Sequence, residues 1–285
     1  VGKAKRILEA FVYTNVWVAI AVASLSALTM VVFHQFDFSL IAFTFFATLL
    51  MYAYARKFES PGRLSEATSK LTQWADANPL LFWVSAIIGL LGTLFFARFL
   101  HANTWIWVAG CAALSAIYPL QFIGNGAGGL RHVAGLKLLV ISAVWAIVTV
   151  ILPAAQTGAT LSFEISWLAM QRFLFVMAIT IPFDIRDLRI DSPSINTLPY
   201  LLGIKRARFI AHFSIFLAEV GAVFMYLTDF FSAGIMAGHL IAFELTSLLI
   251  YRSSPKRPDL FFSFWVEGTS ALLFLLVFIF NYFWP

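Results

Sequence analysis

Charge is scarce in this chain. Asp, Glu, Lys and Arg make up 12% of its 285 residues, about half the share of an ordinary soluble domain, so a solvated globular surface is excluded. Cysteine is nearly absent: Cys111 stands alone, no disulfide can form within the chain, and a lone thiol in an apolar run reads as a small apolar side chain. The five histidines, His34, His101, His132, His212 and His239, show no metal-ligand spacing. No internal repeat is visible, and with an odd number of apolar segments that argues against a simple inverted-repeat transporter. No connection is long enough for a separate soluble domain, so residues 1–285 read as a single transmembrane domain. The first apolar segment lacks a small-residue cleavage site and is long enough to span, so it reads as a true crossing and not a removed signal peptide. The glycine-rich run 124–129 lacks the preceding strand and following helix of a nucleotide-binding turn, and reads as a mobile loop.

What the chain has instead is apolar length. Hydrophobic residues reach 61% and the mean hydropathy is +0.88, organised in blocks of about 20 residues, enough to cross a bilayer. Nine crossings are expected: Phe11–Phe33, Phe38–Ala55, Leu80–Phe99, Thr104–Ile123, Leu136–Pro153, Leu161–Phe183, Ala207–Leu227, Phe231–Ile250 and Leu260–Phe283. The fold class is therefore an all-α polytopic membrane protein. The net charge of +5 is distributed against a nucleic-acid reading. With this topology all but two of the 19 lysines and arginines lie on one side of the membrane, the exceptions being Arg98 and Arg172. The positive-inside rule then places the N-terminus in the cytoplasm and the C-terminus outside, in a multi-pass protein of the inner (cytoplasmic) membrane.

Chemistry is expected at the inner end of the sixth crossing. Asp184, Asp187 and Asp191 follow one another at i, i+3 and i+7, which on a helix puts them within roughly 60° of one another. Arg186 and Arg189 fall on the other side of that helix. A solvated acidic face is the ordinary reading of such a run. The functional one is a site for Mg²⁺, a hard cation that takes one or two carboxylates together with water and substrate phosphate oxygens. Arg56, Arg131 and Lys137 lie at span ends on the same side and would complete an anion site. For each alone, ordinary positive-inside flanking explains the charge. Tyr52, Arg56 and Glu59 share one helical face. Inside the membrane, Arg172 and Glu219 both lie on the order of 15–20 Å from the cytoplasmic face and are expected to pair, because an isolated charge there is costly. Glu244 and Glu267 share a depth of about 10 Å, so two carboxylates there would perturb each other. The alternative is a protonated glutamate hydrogen-bonded to backbone or serine. Phe alone numbers 31, enough to wall a site that stabilises a carbocation, although aromatics are also ordinary in membrane spans.

The run from Pro182 through Asp184, Asp187 and Asp191, followed by Asn196-Thr197-Leu198-Pro199 and Gly203, resembles the second aspartate motif, DxxDxxxD, of the UbiA superfamily of intramembrane aromatic prenyltransferases. The stretch Leu130-Arg131 to Gly135-Leu136-Lys137, with Trp145 and Pro153 beyond, resembles that family's connection into its fifth helix. Pro258-Asp259-Leu260 through Glu267-Gly268 resembles the start of its last one. The resemblance implies a nine-helix UbiA-like bundle that transfers an isoprenoid from a prenyl diphosphate to a lipophilic acceptor. It implies Asp184, Asp187 and Asp191 as metal ligands and Arg131 and Lys137 as diphosphate contacts. One departure is plain. The family's first motif, NDxxDxxxD, should close the second crossing, where this chain has Tyr52-Ala53-Tyr54-Ala55-Arg56-Lys57-Phe58-Glu59. Arg56 then stands in for the positive charge of a missing ion, leaving a one-metal site. The alternative is a catalytically degenerate subunit of a membrane complex that binds a prenyl lipid, quinone or pigment.

Overall fold

A computed structural model describes residues 2–59, 70–117, 135–188 and 197–285. Among these, regular structure is helical throughout. Helix α1 (Gly2–Tyr13) is followed by α2 (Val16–Val32), α3 (Phe38–Glu59), a short α4 (Lys70–Ala77), α5 (Pro79–Ala97) and α6 (Trp105–Ile117). Helix α7 (Leu136–Ala146) runs through a π-helical turn, Ile147–Ile151, into α8 (Leu152–Thr157). Then come α9 (Phe163–Asp187), α10 (Leu198–Leu227), α11 (Ala233–Arg252), a second π turn (Phe261–Val266) and α12 (Glu267–Phe283). Seven helical stretches are individually long and apolar enough to cross a membrane, or eight with α1 and α2 taken together. The expected fourth crossing, Thr104–Ile123, is described only as far as Ile117, and its remainder lies outside the described residues.

Local chemistry sets the breaks. The expected first crossing, Phe11–Phe33, is two helices meeting at 57°. Asn15 sits between them at φ 68°, a left-handed conformation that Asn tolerates better than most residues. Ser162 and Ser232 cap α9 and α11 by accepting the backbone N–H of Ile165 (3.3 Å) and Ile235 (3.2 Å), as N-cap serines do. Pro79 and Pro199 stand in the first turns of α5 and α10, where their missing N–H costs nothing. Gly203, at φ 79° and ψ 158°, breaks α10 in a conformation closed to L side chains. Pro153 offers no N–H to the carbonyl of Thr149, and that carbonyl accepts instead from the Thr29 hydroxyl of α2 at 2.6 Å.

Helix α9 is the centre of the bundle. It packs on α7, α10 and α11, and 67% of its spanning window is buried, against 22% for α5. Leu168, Phe175, Ala178 and Ile181 face inward with no exposure. Where α11 crosses α12, a Cβ at Gly238 would stand 2.6 Å from the Val277 Cα, so only glycine permits that backbone approach. The centrality of α9 matters because its last turn carries the aspartates.

Candidate functional site

The last turn of α9 holds Asp184 and Asp187 on one face, 3% and 9% exposed. Neither is a solvated surface charge. Lys137, in the first turn of α7, donates from Nζ to Asp184 Oδ1 at 3.0 Å. Arg186 turns back onto the neighbouring residue, with Nε 2.8 Å from Asp187 Oδ1 and Nη2 3.2 Å from Oδ2. The expectation that Arg186 lies across the helix from the acidic face is thus corrected: its long stem folds over and forms a two-pronged ion pair. Its Nη1 also reaches Asp259 Oδ1 at 3.3 Å and Ser263 Oγ at 3.5 Å, joining α9 to the start of the last crossing. Glu267, one turn further along, lies within electrostatic range of Arg186.

Arg56 closes the same end from α3. It is 8% exposed, and its Nη1 donates to the Tyr13 carbonyl at 2.7 Å, while Nη2 donates to Asn15 Oδ1. The Tyr13 phenol adjoins Asp259. Arg56 and Asp187 therefore belong to one polar strip that runs through Tyr13, Asp259 and Arg186.

Beneath the strip lies a cavity of about 440 Å³, within the range of small-molecule sites. Arg56 and Lys137 are its charged lining residues, and Tyr52 stands beside Arg56. The remaining wall comes mainly from α3, α6, α7 and the π turn into α8, with Val22, Leu71 and Thr93 added from α2, α4 and α5, and is largely apolar, reaching as deep as Phe43, Val108 and Leu152. The hydroxyls of Thr44, Thr48 and Thr93 line it too, but each donates to a carbonyl of its own helix, at 2.9, 2.7 and 2.6 Å. Along α3, the 13-residue step from Phe43 to Arg56 rises roughly 20 Å. The arrangement suits a ligand with an anionic head and a long apolar tail.

The expected site residues divide as follows. Asp184 and Lys137 are brought into contact, Arg56 and Lys137 face one cavity, and Asp187 lies one turn along α9. Asp191 and Arg131 lie outside the described residues. The Tyr13, Asn15 and Asp259 contributions were not foreseen. Asn15 carries no signal in the sequence beyond being a polar residue inside an apolar run.

One expectation for the membrane interior is overturned, and one of two open alternatives is closed. Arg172 does not pair with Glu219. Gln171 faces α10 and donates to the Ala218 carbonyl at 3.0 Å, so Arg172, about 100° further round the helix, points into the bundle and donates to the Leu25 carbonyl at 2.9 Å. Glu244 does not face Glu267 either. Glu267 is turned toward Arg186, whereas Glu244 is on the exposed face of α11, where its charge acts on Glu219 and His212 of α10.

Among the described residues no three His, Cys, Asp or Glu side chains gather as a metal-ligand group. The donor set present still suits a single hard cation. Asp184 and Asp187 are buried on one face, and carboxylate oxygens are the hard ligands such a cation takes. At the end of α3, where the resemblance expects a second acidic motif, the sequence keeps one acid, Glu59, and Arg56 lines the cavity.

No protein-family model matches the chain, and no curated protein matches it by sequence. Solved structures do. A UbiA homolog from Archaeoglobus fulgidus bound to DMAPP and Mg²⁺ superposes with a TM-score of 0.64 at 11% identity, over 95% of this chain and 98% of that one. An apo UbiA homolog from Aeropyrum pernix gives 0.62 at 16% identity, over 93% and 95%. A digeranylgeranylglyceryl phosphate synthase gives 0.58 at 13%, over 96% and 98%. The chain has the fold of these proteins along nearly its whole length.

Proposed function

We propose that this chain, which has the UbiA fold, is a membrane-embedded prenyltransferase that moves an isoprenoid from a prenyl diphosphate to a lipophilic acceptor. The observation that carries the proposal is the cavity that meets Arg56 and Lys137 at one end and is apolar to its depth, with Lys137 bonded to Asp184. It is supported by the Archaeoglobus homolog structures, which hold GPP or DMAPP with Mg²⁺.

In this reading the protein crosses the inner membrane nine times with its N-terminus and aspartate face in the cytoplasm. The diphosphate lies against Arg56, Lys137 and Arg131, whose charges favour the departing anion over the intact ester. The allylic C–O bond breaks and its electron pair leaves with the diphosphate. The apolar wall, with Phe43, Tyr52 and Trp145 among its members, keeps water from the allylic cation. An electron pair of the acceptor then forms the new bond and a proton is released. One Mg²⁺, held by Asp184, Asp187 and Asp191, would supply further charge neutralisation at the diphosphate oxygens.

The test is release of diphosphate from geranyl or longer prenyl diphosphates by the purified protein in nanodiscs, with Mg²⁺ or with EDTA. Mg²⁺-dependent release that Asp184→Asn abolishes and Glu244→Gln leaves intact is the expected result. Equal release by Asp184→Asn would remove the metal assignment.

A second reading is favoured by one observation: the two described aspartates already have protein cations as partners, Lys137 and Arg186. A binding subunit would keep such pairs and transfer nothing. It would bind prenyl diphosphate without turnover and co-purify with a partner in near-equal amounts.

A further inference from the structure

At the centre of the bundle two fully buried groups face a gap in their bonding. Arg172 is 1% exposed. Its Nη1 donates to the Leu25 carbonyl at 2.9 Å and lies 3.5 Å from Thr149 Oγ1 of the π turn. Among the described residues its Nη2 has no partner and no carboxylate forms an ion pair with it. His239 of α11 is 0% exposed and stacked on Phe231 at 4.9 Å. Its Nδ1 lies 2.8 Å from the Ile235 carbonyl. A carbonyl only accepts, so Nδ1 carries the proton, and in the neutral ring Nε2 is a bare acceptor. Among the described residues that Nε2 also has no partner. The two lie at one level of the bundle, because Phe175, one turn from Arg172 on α9, meets Phe243, one turn from His239 on α11, with ring centroids 5.5 Å apart, yet no direct bond joins them.

The mismatch is complementary: a donor without an acceptor lies near an acceptor without a donor. Each orphan is destabilising when left dry. An anion would satisfy Nη2 but would meet the lone pair of Nε2. A neutral species that both accepts and donates satisfies both, and buried water does this routinely.

We propose that ordered water occupies the interior between Arg172 and His239, accepting from Arg172 Nη2 and donating to His239 Nε2, and so forms an internal hydration site shared by α2, the π turn Ile147–Ile151, α9 and α11. Its position has a consequence for the cavity. Val148 and Leu152 line the cavity, while Thr149 between them is held from behind by Thr29 and Arg172. The hydrated pair therefore backs the wall of the π turn.

Hydroxyl-radical footprinting by X-ray radiolysis of the full chain in nanodiscs tests this, because radicals form where bound water sits. His239 and the ring of Phe231 should be modified several-fold faster than Phe262, which is equally buried. Modification of His239 and Phe231 no faster than Phe262 would overturn the site. His239→Phe should lower the melting temperature and bring Phe231 modification down to the Phe262 rate. Arg172→Met alone should destabilise more than it does in the His239→Phe background. Additive effects would mean the two groups share nothing. Should either variant fail to fold, the wild-type footprint alone decides. A melting temperature that rises in chloride relative to gluconate would also overturn the proposal, in favour of a halide on Arg172.

Discussion

Two regions of the bundle carry ionisable side chains and treat them in opposite ways. At the inner end of α9 the described charges named above are turned inward and partnered: Asp184 by Lys137, Asp187 and Asp259 by Arg186, with Arg56 held by Tyr13 and Asn15. Along the seam of α10 and α11 the charges face outward. His212 is bonded to Ser247 at 2.7 Å, Glu219 is half-buried, and Glu244 is exposed on a helix that spans the membrane. The inner set borders a cavity and the outer set borders lipid. A matched, buried set has fixed geometry and can act on a bound ligand. An unmatched outward set adds cost and little structure, since a charge in hydrocarbon is unfavourable by several kcal/mol. Function is therefore assigned to the first region, and four substitutions would break or sharpen that contrast.

The largest effect is expected at Lys137. Lys137→Met removes a cavity cation and strands the carboxylate of Asp184. Diphosphate release should fall on the order of 10²–10³-fold, the usual loss when a preorganised charge is removed from a transition state. Glu219→Gln should change release by less than about twofold, because uncoupled sites act independently. Comparable losses in both variants would erase the distinction between the two regions.

Next is Arg186→Gln, which leaves Asp187 and Asp259 as adjacent buried anions. Breaking a buried pair costs about 3–5 kcal/mol, so a large drop in melting temperature in mild detergent is expected. A drop no larger than that of an exposed arginine such as Arg206→Gln would show that the polar strip does not hold the inner end together.

How much of this was readable beforehand follows from what a sequence encodes. Depth is legible: residue counting put Asp184, Asp187, Lys137 and Arg56 at one end of the membrane, and the structure brings Asp184 and Lys137 together. Azimuth is less so. Arg172 and Glu219 share a depth, but the one-residue step from Gln171 to Arg172 turns the guanidinium away from α10 and into the core. Glu244 and Glu267 failed as a pair for the same reason, their helices meeting through Gly238 and Val277 on other faces. The break at Asn15 was hidden because both sides of it are apolar, and backbone conformation at a single Asn leaves no mark on hydropathy. The side chain of Arg186 defeated helix-phase reasoning because a long stem reaches a neighbour that its Cα–Cβ direction does not face.

A smaller effect of opposite sign is expected on the outer seam. Glu244→Gln removes a charge that lipid cannot solvate and that acts against Glu219. Like charges in proximity are destabilising by several tenths of a kcal/mol, so the melting temperature in nanodiscs should hold or rise slightly. A clear loss of stability would mean that Glu244 is matched in the membrane by a cation from another molecule, and would move the seam into the same class as the inner end.

The smallest signal expected is a coupling between the two ends of the chain. Tyr13 is 3% exposed, its carbonyl accepts from Arg56 at 2.7 Å, and its phenol adjoins Asp259. Tyr13→Phe removes the hydroxyl and leaves the ring and the carbonyl in place. The measurement is a double-mutant cycle of Tyr13→Phe with Asp259→Asn on melting temperature in mild detergent. Residues in contact couple by about 0.5 kcal/mol or more, so the two losses should not add. Additive losses would place Tyr13 outside the strip that links Arg56 to Asp187, and would leave the two halves of the inner region independent of each other.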